Sequence, residues 1–93
     1  IDTVFIDVRR EDEYINGHIK DAIFIPVDDI LTRIDELPQN KKLVFICAAG
    51  VRSGLACEMS AAMGINSDLL YSIIEGTETW IEQGNPTSYG SEK

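Results

Sequence analysis

Hydrophobic positions in this chain come in short blocks that alternate between two periods. Val4-Phe5-Ile6-Asp7-Val8 opens it as a β-branched and aromatic run, the pattern of a buried strand. Arg9 to Tyr14 is charged and helix-favouring, and Asn16-Gly17 supplies a stop signal. Ala22-Ile23-Phe24-Ile25 predicts a second strand closed by Pro26. Asp28 is positioned as the N-cap of a helix over residues 28–37, with Ile30, Leu31, Ile34 and Leu37 on one apolar face and Pro38 ending it. Leu43-Val44-Phe45-Ile46-Cys47 shows no alternation, as expected of a parallel strand covered on both faces. After the loop Ala48-Ala49-Gly50-Val51, a helix is predicted from about Arg52 to Met63. Leu55, Met59 and Ala62 form its stripe, and Gly64 takes the left-handed position after it. Residues 69–74 read as a further strand, and 77–83 as a short helix carrying Trp80 and closed by Gly84.

Strands alternating with helices on short connections predict an α/β domain with a mainly parallel central sheet. Residues 1–86 form one such domain on this reading, with 87–93 a flexible tail without pattern. The 93 residues suffice for one core and not two. An apolar fraction of 44% with 26% charged residues is that of a globular chain. No apolar run approaches the roughly 20 residues that cross a bilayer, so no membrane role is expected. One small domain is most simply a monomer.

Charge narrows the partners. Sixteen acidic against 8 basic side chains leave a formal charge of −8. Nucleic acid, which needs a basic face to release counterions, is excluded as a partner. An anionic substrate would require a local positive field stronger than the global negative one. The two cysteines and the lone His18 have no metal-ligand spacing, so no metal is expected.

Chemistry concentrates in Cys47-Ala48-Ala49-Gly50-Val51-Arg52-Ser53-Gly54. The segment places a thiol at the carboxyl end of a central strand, where open α/β sheets bind ligands. Small residues allow a tight curl that turns backbone N–H groups inward, and a helix N-terminus adds partial positive charge. That field favours a thiolate. Arg52 is the one formal charge in the loop and is expected to supply the local positive field. A strand-end cysteine alone is more often an inert small hydrophobe; the loop and helix start argue for reactivity. Asp7 and Arg9 read as a structural ion pair or cap, and His18 as a satisfied structural histidine. Cys57, about five residues into the helix, has climbed roughly 8 Å from its start and reads as a helix-face residue. Trp80, Phe5, Phe24 and Phe45 read as core.

These segments resemble the rhodanese family. Asp7-Val8-Arg9, then Glu13-Tyr14-Ile15-Asn16-Gly17-His18-Ile19 and Ala22 to Pro26, are similar to its Asp-Val-Arg…Glu-Tyr-x-x-Gly-His-Ile…Gly-Ala-x-x-Ile-Pro signature. Glu75-Gly76-Thr77-Glu78-Thr79-Trp80 with Gly84-Asn85-Pro86 is similar to its closing Gly-Gly-x-x-x-Trp…Gly-x-Pro. The resemblance implies a three-layer rhodanese-like fold and a sulfurtransferase without cofactor. Cys47 would carry sulfur as a persulfide cradled by Ala48, Ala49, Gly50, Val51, Arg52 and Ser53. It would receive the sulfur from thiosulfate or a similar small anionic donor and pass it to cyanide or a thiol. A sulfur-relay module loaded and unloaded by protein partners is the alternative, and a non-catalytic interaction domain is disfavoured by the retained Cys47. Related phosphatases and arsenate reductases use Cys-x5-Arg loops; Arg52 makes this one Cys-x4-Arg. Ala48 replaces the basic or polar residue of many active members, a difference that bears on thiosulfate binding. Asp21 and Glu75 stand where glycine is common. Rhodaneses usually carry a further strand and helix ahead of Asp-Val-Arg. The early start here, without an initiator Met, resembles small phage-shock-type members and leans toward a processed periplasmic protein, with the cytoplasm as alternative.

Overall fold

The computed structural model describes residues 2–48, 51–73 and 76–92. Strands β1 (Thr3–Asp7), β3 (Ile23–Phe24), β4 (Lys42–Ile46) and β5 (Leu70–Ile73) make a sheet ordered β3-β1-β4-β5, with every pairing parallel. β4 is central, with Asp7 opposite Ile46 on one side and Ile73 opposite Ile46 on the other. Ile74, expected to extend β5, lies outside the described residues. A separate two-stranded antiparallel pair joins β2 (His18–Ile19) to β6 (Thr87–Ser88), and its Ile19 packs in one cluster with Ile46 of β4.

The period of two divides each strand between two apolar layers. Ile6, Leu43, Phe45 and Cys47 face one cluster, built with Ile25, Ile30, Leu37, Ala56 and Ile65. Phe5 and Ile46 face the other, with Ile19, Ala22, Ile73 and Trp80. This two-sided cover is why residues 43–47 show no alternation. The aromatic rings are core elements, as expected. Phe45 is fully buried, Phe5 lies 5.5 Å from Trp80, and Phe24 stacks on Tyr14. Trp80 Nε1 donates to the Pro86 carbonyl at 2.8 Å.

Three helices flank the strands: α1 (Glu11–Ile15), α2 (Val51–Ala62) and α3 (Gly76–Glu82). The inward face of α2 differs from the predicted stripe. Ser53, Ala56 and Ser60 are buried; of the predicted stripe, Met59 packs partly buried against the core, whereas Leu55 and Ala62 are exposed. Small side chains at offsets of three and seven let the helix lie close on the sheet, which a leucine would prevent. Gly64, at φ 98°, ends it as expected.

The predicted helix over residues 28–37 is not formed. Two 3₁₀ turns, Val27–Asp29 and Ile34–Glu36, replace it, and Asp28 lies inside the first instead of capping it. Thr32 Oγ1 donates to the Asp29 carbonyl, a local bond that competes with helix continuation. The tighter, longer-rise turns bury Ile30 and Leu37 while leaving Leu31 exposed. Residues 87–92 also carry more structure than a patternless tail. Besides the β6 pairing, the Glu92 carbonyl meets His18 Nε2, and Gly90 N–H donates to the Ile15 carbonyl at 2.9 Å. Asp21, where glycine was noted as common, adopts φ 65°, a left-handed conformation that asparagine-like side chains tolerate better than most.

Asp7 and Arg9 join the end of β1 to the segment beyond α1. Both are buried, and Arg9 Nη2 lies 2.7 Å from Asp7 Oδ2 while also donating to the Gly17 carbonyl at 2.8 Å. Asp7 Oδ1 accepts the backbone N–H of Arg9 at 3.0 Å, so the pair also caps the strand end. Removing one partner of a buried pair strands the other charge. Asp7→Asn is expected to cost about 3–5 kcal/mol, read as a lower urea midpoint.

Candidate functional site

Cys47 is the first residue after β4, and the strand's alternation aims its side chain at the α2 side of the sheet. There the thiol meets the first turn of α2. Ser53 donates its backbone N–H to Cys47 Sγ at 3.4 Å, and the two side chains approach at 3.5 Å. Ser53 Oγ lies 2.7 Å from Ser72 Oγ on β5, which ties the helix start to the neighbouring strand. Cys47 is 1% exposed, and its sulfur accepts the Ser53 N–H while the thiol donates to Ser53 Oγ. A backbone N–H aimed at sulfur favours negative charge there.

The carbonyl side of the same residue is also held. Thr77 N–H donates to the Cys47 carbonyl at 3.1 Å. Gly76, at φ 82°, lies so close that a Cβ there would stand 2.1 Å from the Ala48 carbonyl oxygen. Only glycine meets both the positive φ and this approach. The start of α3 therefore clamps the start of the loop from behind.

Of the residues predicted to form the cradle, Cys47, Val51, Arg52 and Ser53 are brought together around the start of α2. Ala48 continues the chain from the thiol, and Ala49 and Gly50 lie outside the described residues. Val51 opens α2 and is 78% exposed. Arg52 differs from expectation. Its guanidinium makes a bidentate pair with Glu13, at 2.6 Å from Oε1 and 3.0 Å from Oε2, instead of offering an unspent positive charge. The hydrogen bonds from Arg52, assisted by the Arg10 backbone N–H, pull the Glu13 carboxyl down to about 2 against the opposing effect of burial. In return Glu13 chiefly, with smaller contributions from the charges of Cys47 and Asp7, holds the Arg52 guanidinium above its ordinary value.

Glu13, Gly76, Thr77 and Ser72 are the residues that sequence reading left without a role. Glu13 had a signal: an arginine in a loop beneath a helix start needs a carboxylate, and Glu13 belongs to the Glu-Tyr-x-x-Gly motif. Thr77 and Ser72 had none, because only the sheet order brings them to the loop.

His18 is structural as expected. It is fully buried, stacked on Tyr14 at 3.6 Å between ring centroids, with Nδ1 2.8 Å from the Tyr14 carbonyl. Cys57 is half-buried on α2, and burial, then Glu58, pushes its thiol up to about 11. No group of residues able to hold a metal occurs among the described residues. No described helix is long and apolar enough to cross a membrane.

The model of the rhodanese-like domain matches residues 1–83. The chain belongs to the rhodanese family. Among curated relatives it is 31% identical, over 85 residues, to a sulfurtransferase of Allochromatium vinosum, covering 91% of this chain and 78% of that one. A rhodanese-related protein from Thermoplasma volcanium superposes with a TM-score of 0.81 at 34% identity, covering 92% of this chain and 83% of its own. A rhodanese from E. coli, solved with anions, gives 0.76 at 28% identity, covering 95% and 99%. The chain spans only 40% and 60% of two Bacillus subtilis relatives. The predicted α/β class with a mainly parallel sheet and the rhodanese resemblance thus both hold.

The Glu13–Arg52 pair makes stability depend on acid. A carboxyl held near 2 in the fold and near 4.5 when unfolded stabilises the protein above pH 4.5. That contribution disappears as pH falls from about 5 to about 2. Urea unfolding across this range is expected to show a shallower loss in Glu13→Gln than in wild type. At pH 7 the same variant should be weaker by about 1–3 kcal/mol.

Proposed function

We propose that this rhodanese-family domain transfers sulfane sulfur through a Cys47 persulfide. The observation that carries the reading is the Ser53 N–H lying 3.4 Å from Cys47 Sγ at the end of the central strand. In the first step the Cys47 thiolate attacks the outer sulfur of thiosulfate or a similar donor; an S–S bond forms and sulfite leaves with the electron pair of the broken one. In the second, cyanide or a thiolate attacks the terminal sulfur and Cys47 departs as thiolate. This is two-stage nucleophilic catalysis, with ping-pong kinetics expected and no cofactor required. The turn from Ala48 to Ser53 carries the persulfide. Its backbone N–H groups, with Ala49 and Gly50 between, stabilise the sulfur anion as an oxyanion hole does an oxygen. Arg52 acts by holding α1 against the start of α2 through Glu13.

A specific observation favours a second reading, in which protein partners load and unload Cys47. The charge of Arg52 is spent on Glu13, and Ala48 adds none, so a free dianion such as thiosulfate gains little at this site.

Intact-mass spectrometry tests both. The protein is treated with thiosulfate or, separately, with inorganic polysulfide, in wild-type and Cys47→Ser forms. Wild type is expected to gain one reducible sulfur atom and Cys47→Ser none. Loading by polysulfide and not by thiosulfate removes thiosulfate as the donor; faster loading from a protein persulfide than from either small donor selects the relay reading. A sulfur that survives Cys47→Ser, or maps to Cys57, removes Cys47 from the chemistry.

A further inference from the structure

Helix α2 carries its polarity inside out. With a turn of about 100° per residue, Val51, Leu55, Glu58 and Ala62 fall on one narrow outer stripe, opposite the buried Ser53, Ala56 and Ser60. Val51 is 78% exposed and Leu55 48%, and the exposed Met63 follows just past the helix end. A helix lying on a sheet ordinarily turns such side chains inward and its serines outward. Ser53 is engaged by Cys47 and Ser72, but the buried Ser60 hydroxyl finds no hydrogen-bond partner. Close approach to the sheet accounts for small residues on the inner face. It does not account for a valine and a leucine on the outer one, and an apolar surface patch of this kind marks a contact with another molecule.

The stripe starts at the reactive turn. Val51 opens α2 two residues before Ser53, whose N–H meets Cys47 Sγ. A molecule lying along the stripe therefore overhangs the turn proposed to carry the sulfur. The charge around it is negative. Glu58 lies within the stripe and enters no ion pair among the described residues. All four arginines of the chain are paired with carboxylates, and Lys41 and Lys42 stand at the far end of β4 from Cys47. In a chain of net charge −8, such a face repels a second copy and attracts a cationic partner.

We propose that the outer stripe of α2 is the docking face for a protein that takes sulfur from Cys47, one whose acceptor cysteine is flanked by apolar side chains and by lysine or arginine. The inference rests on the reading in which protein partners unload a Cys47 persulfide. The partner's cysteine, having lost its proton to water, attacks the terminal sulfur as thiolate. An S–S bond forms on the partner, the bond to Cys47 Sγ breaks, and Cys47 leaves as thiolate, so no further reactant is needed. Val51 and Leu55 supply apolar contact, and Glu58 faces the partner's cation.

The test loads the whole chain with polysulfide, counts loading by intact mass, and measures transfer per loaded molecule to synthetic peptides. In the first peptide the cysteine is flanked by leucine and lysine, in the second by leucine and glutamate, and in the third by serine and lysine. The small thiol 2-mercaptoethanol, too short to reach the stripe, reports transfer without docking. The leucine–lysine peptide is expected to show the highest kcat/KM. Leu55→Gln should lower that value about threefold to tenfold through KM, the effect of losing half a leucine's burial, and leave 2-mercaptoethanol unchanged. Glu58→Lys should reverse the preference between the lysine and glutamate peptides. An unchanged KM in Leu55→Gln overturns the docking face, as does an equal loss with 2-mercaptoethanol. Size-exclusion chromatography showing a wild-type dimer that Leu55→Gln dissociates assigns the stripe to a second copy and also overturns it. Loaded wild type that serves the three peptides equally overturns the docking face and leaves the Cys47 chemistry standing. Wild type that loads no sulfur overturns the Cys47 reading itself, and this inference with it.

Discussion

The contact between Ser53 N–H and Cys47 Sγ is the constraint around which the functional end of the molecule is arranged. It requires the end of β4 and the first turn of α2 to meet within hydrogen-bond distance, although five residues intervene. A parallel sheet makes this possible, because consecutive elements return over the carboxyl ends of the strands. The buried face of α2 is built from serine and alanine, so the helix can lie low enough on the sheet to reach the sulfur. Ser72, from the strand beside β4, closes the arrangement through Ser53 Oγ.

Two ion pairs support this region, and they differ in character. Asp7–Arg9 is buried, internally hydrogen-bonded and tied to the Gly17 carbonyl, so it fixes the end of β1 and the exit of α1. Glu13–Arg52 is partly exposed and joins α1 to α2 across the mouth of the site. Both consume arginines that would otherwise attract small anions. In a chain of net charge −8, a persulfide on Cys47, as proposed, would depend on backbone dipoles more than on formal positive charge.

The back of the site shows a different economy. Gly76 and Thr77 hold the Cys47 and Ala48 carbonyls through close approach and one backbone hydrogen bond. Thr77 also carries a buried hydroxyl without a hydrogen-bond partner.

Much of this was legible in the chain itself. The strand blocks, the thiol at the end of the central one, the helix after it and the Asp7–Arg9 pairing all follow from short-range pattern. Each depends on residues within a few positions of one another, where periodicity and chain geometry operate directly. Residues 28–37 and the buried face of α2 misled, because apolar spacing does not distinguish a helix from paired 3₁₀ turns, nor a leucine at the surface from one in the core. Side-chain size at the sheet contact settled the second, and a competing threonine bond accompanied the first. The partners of Arg52, the approach of Thr77 to Cys47 and the pairing of β2 with β6 were beyond the reach of pattern. They join residues 39, 30 and about 70 positions apart, and only the order of strands in the sheet decides which distant side chains become neighbours.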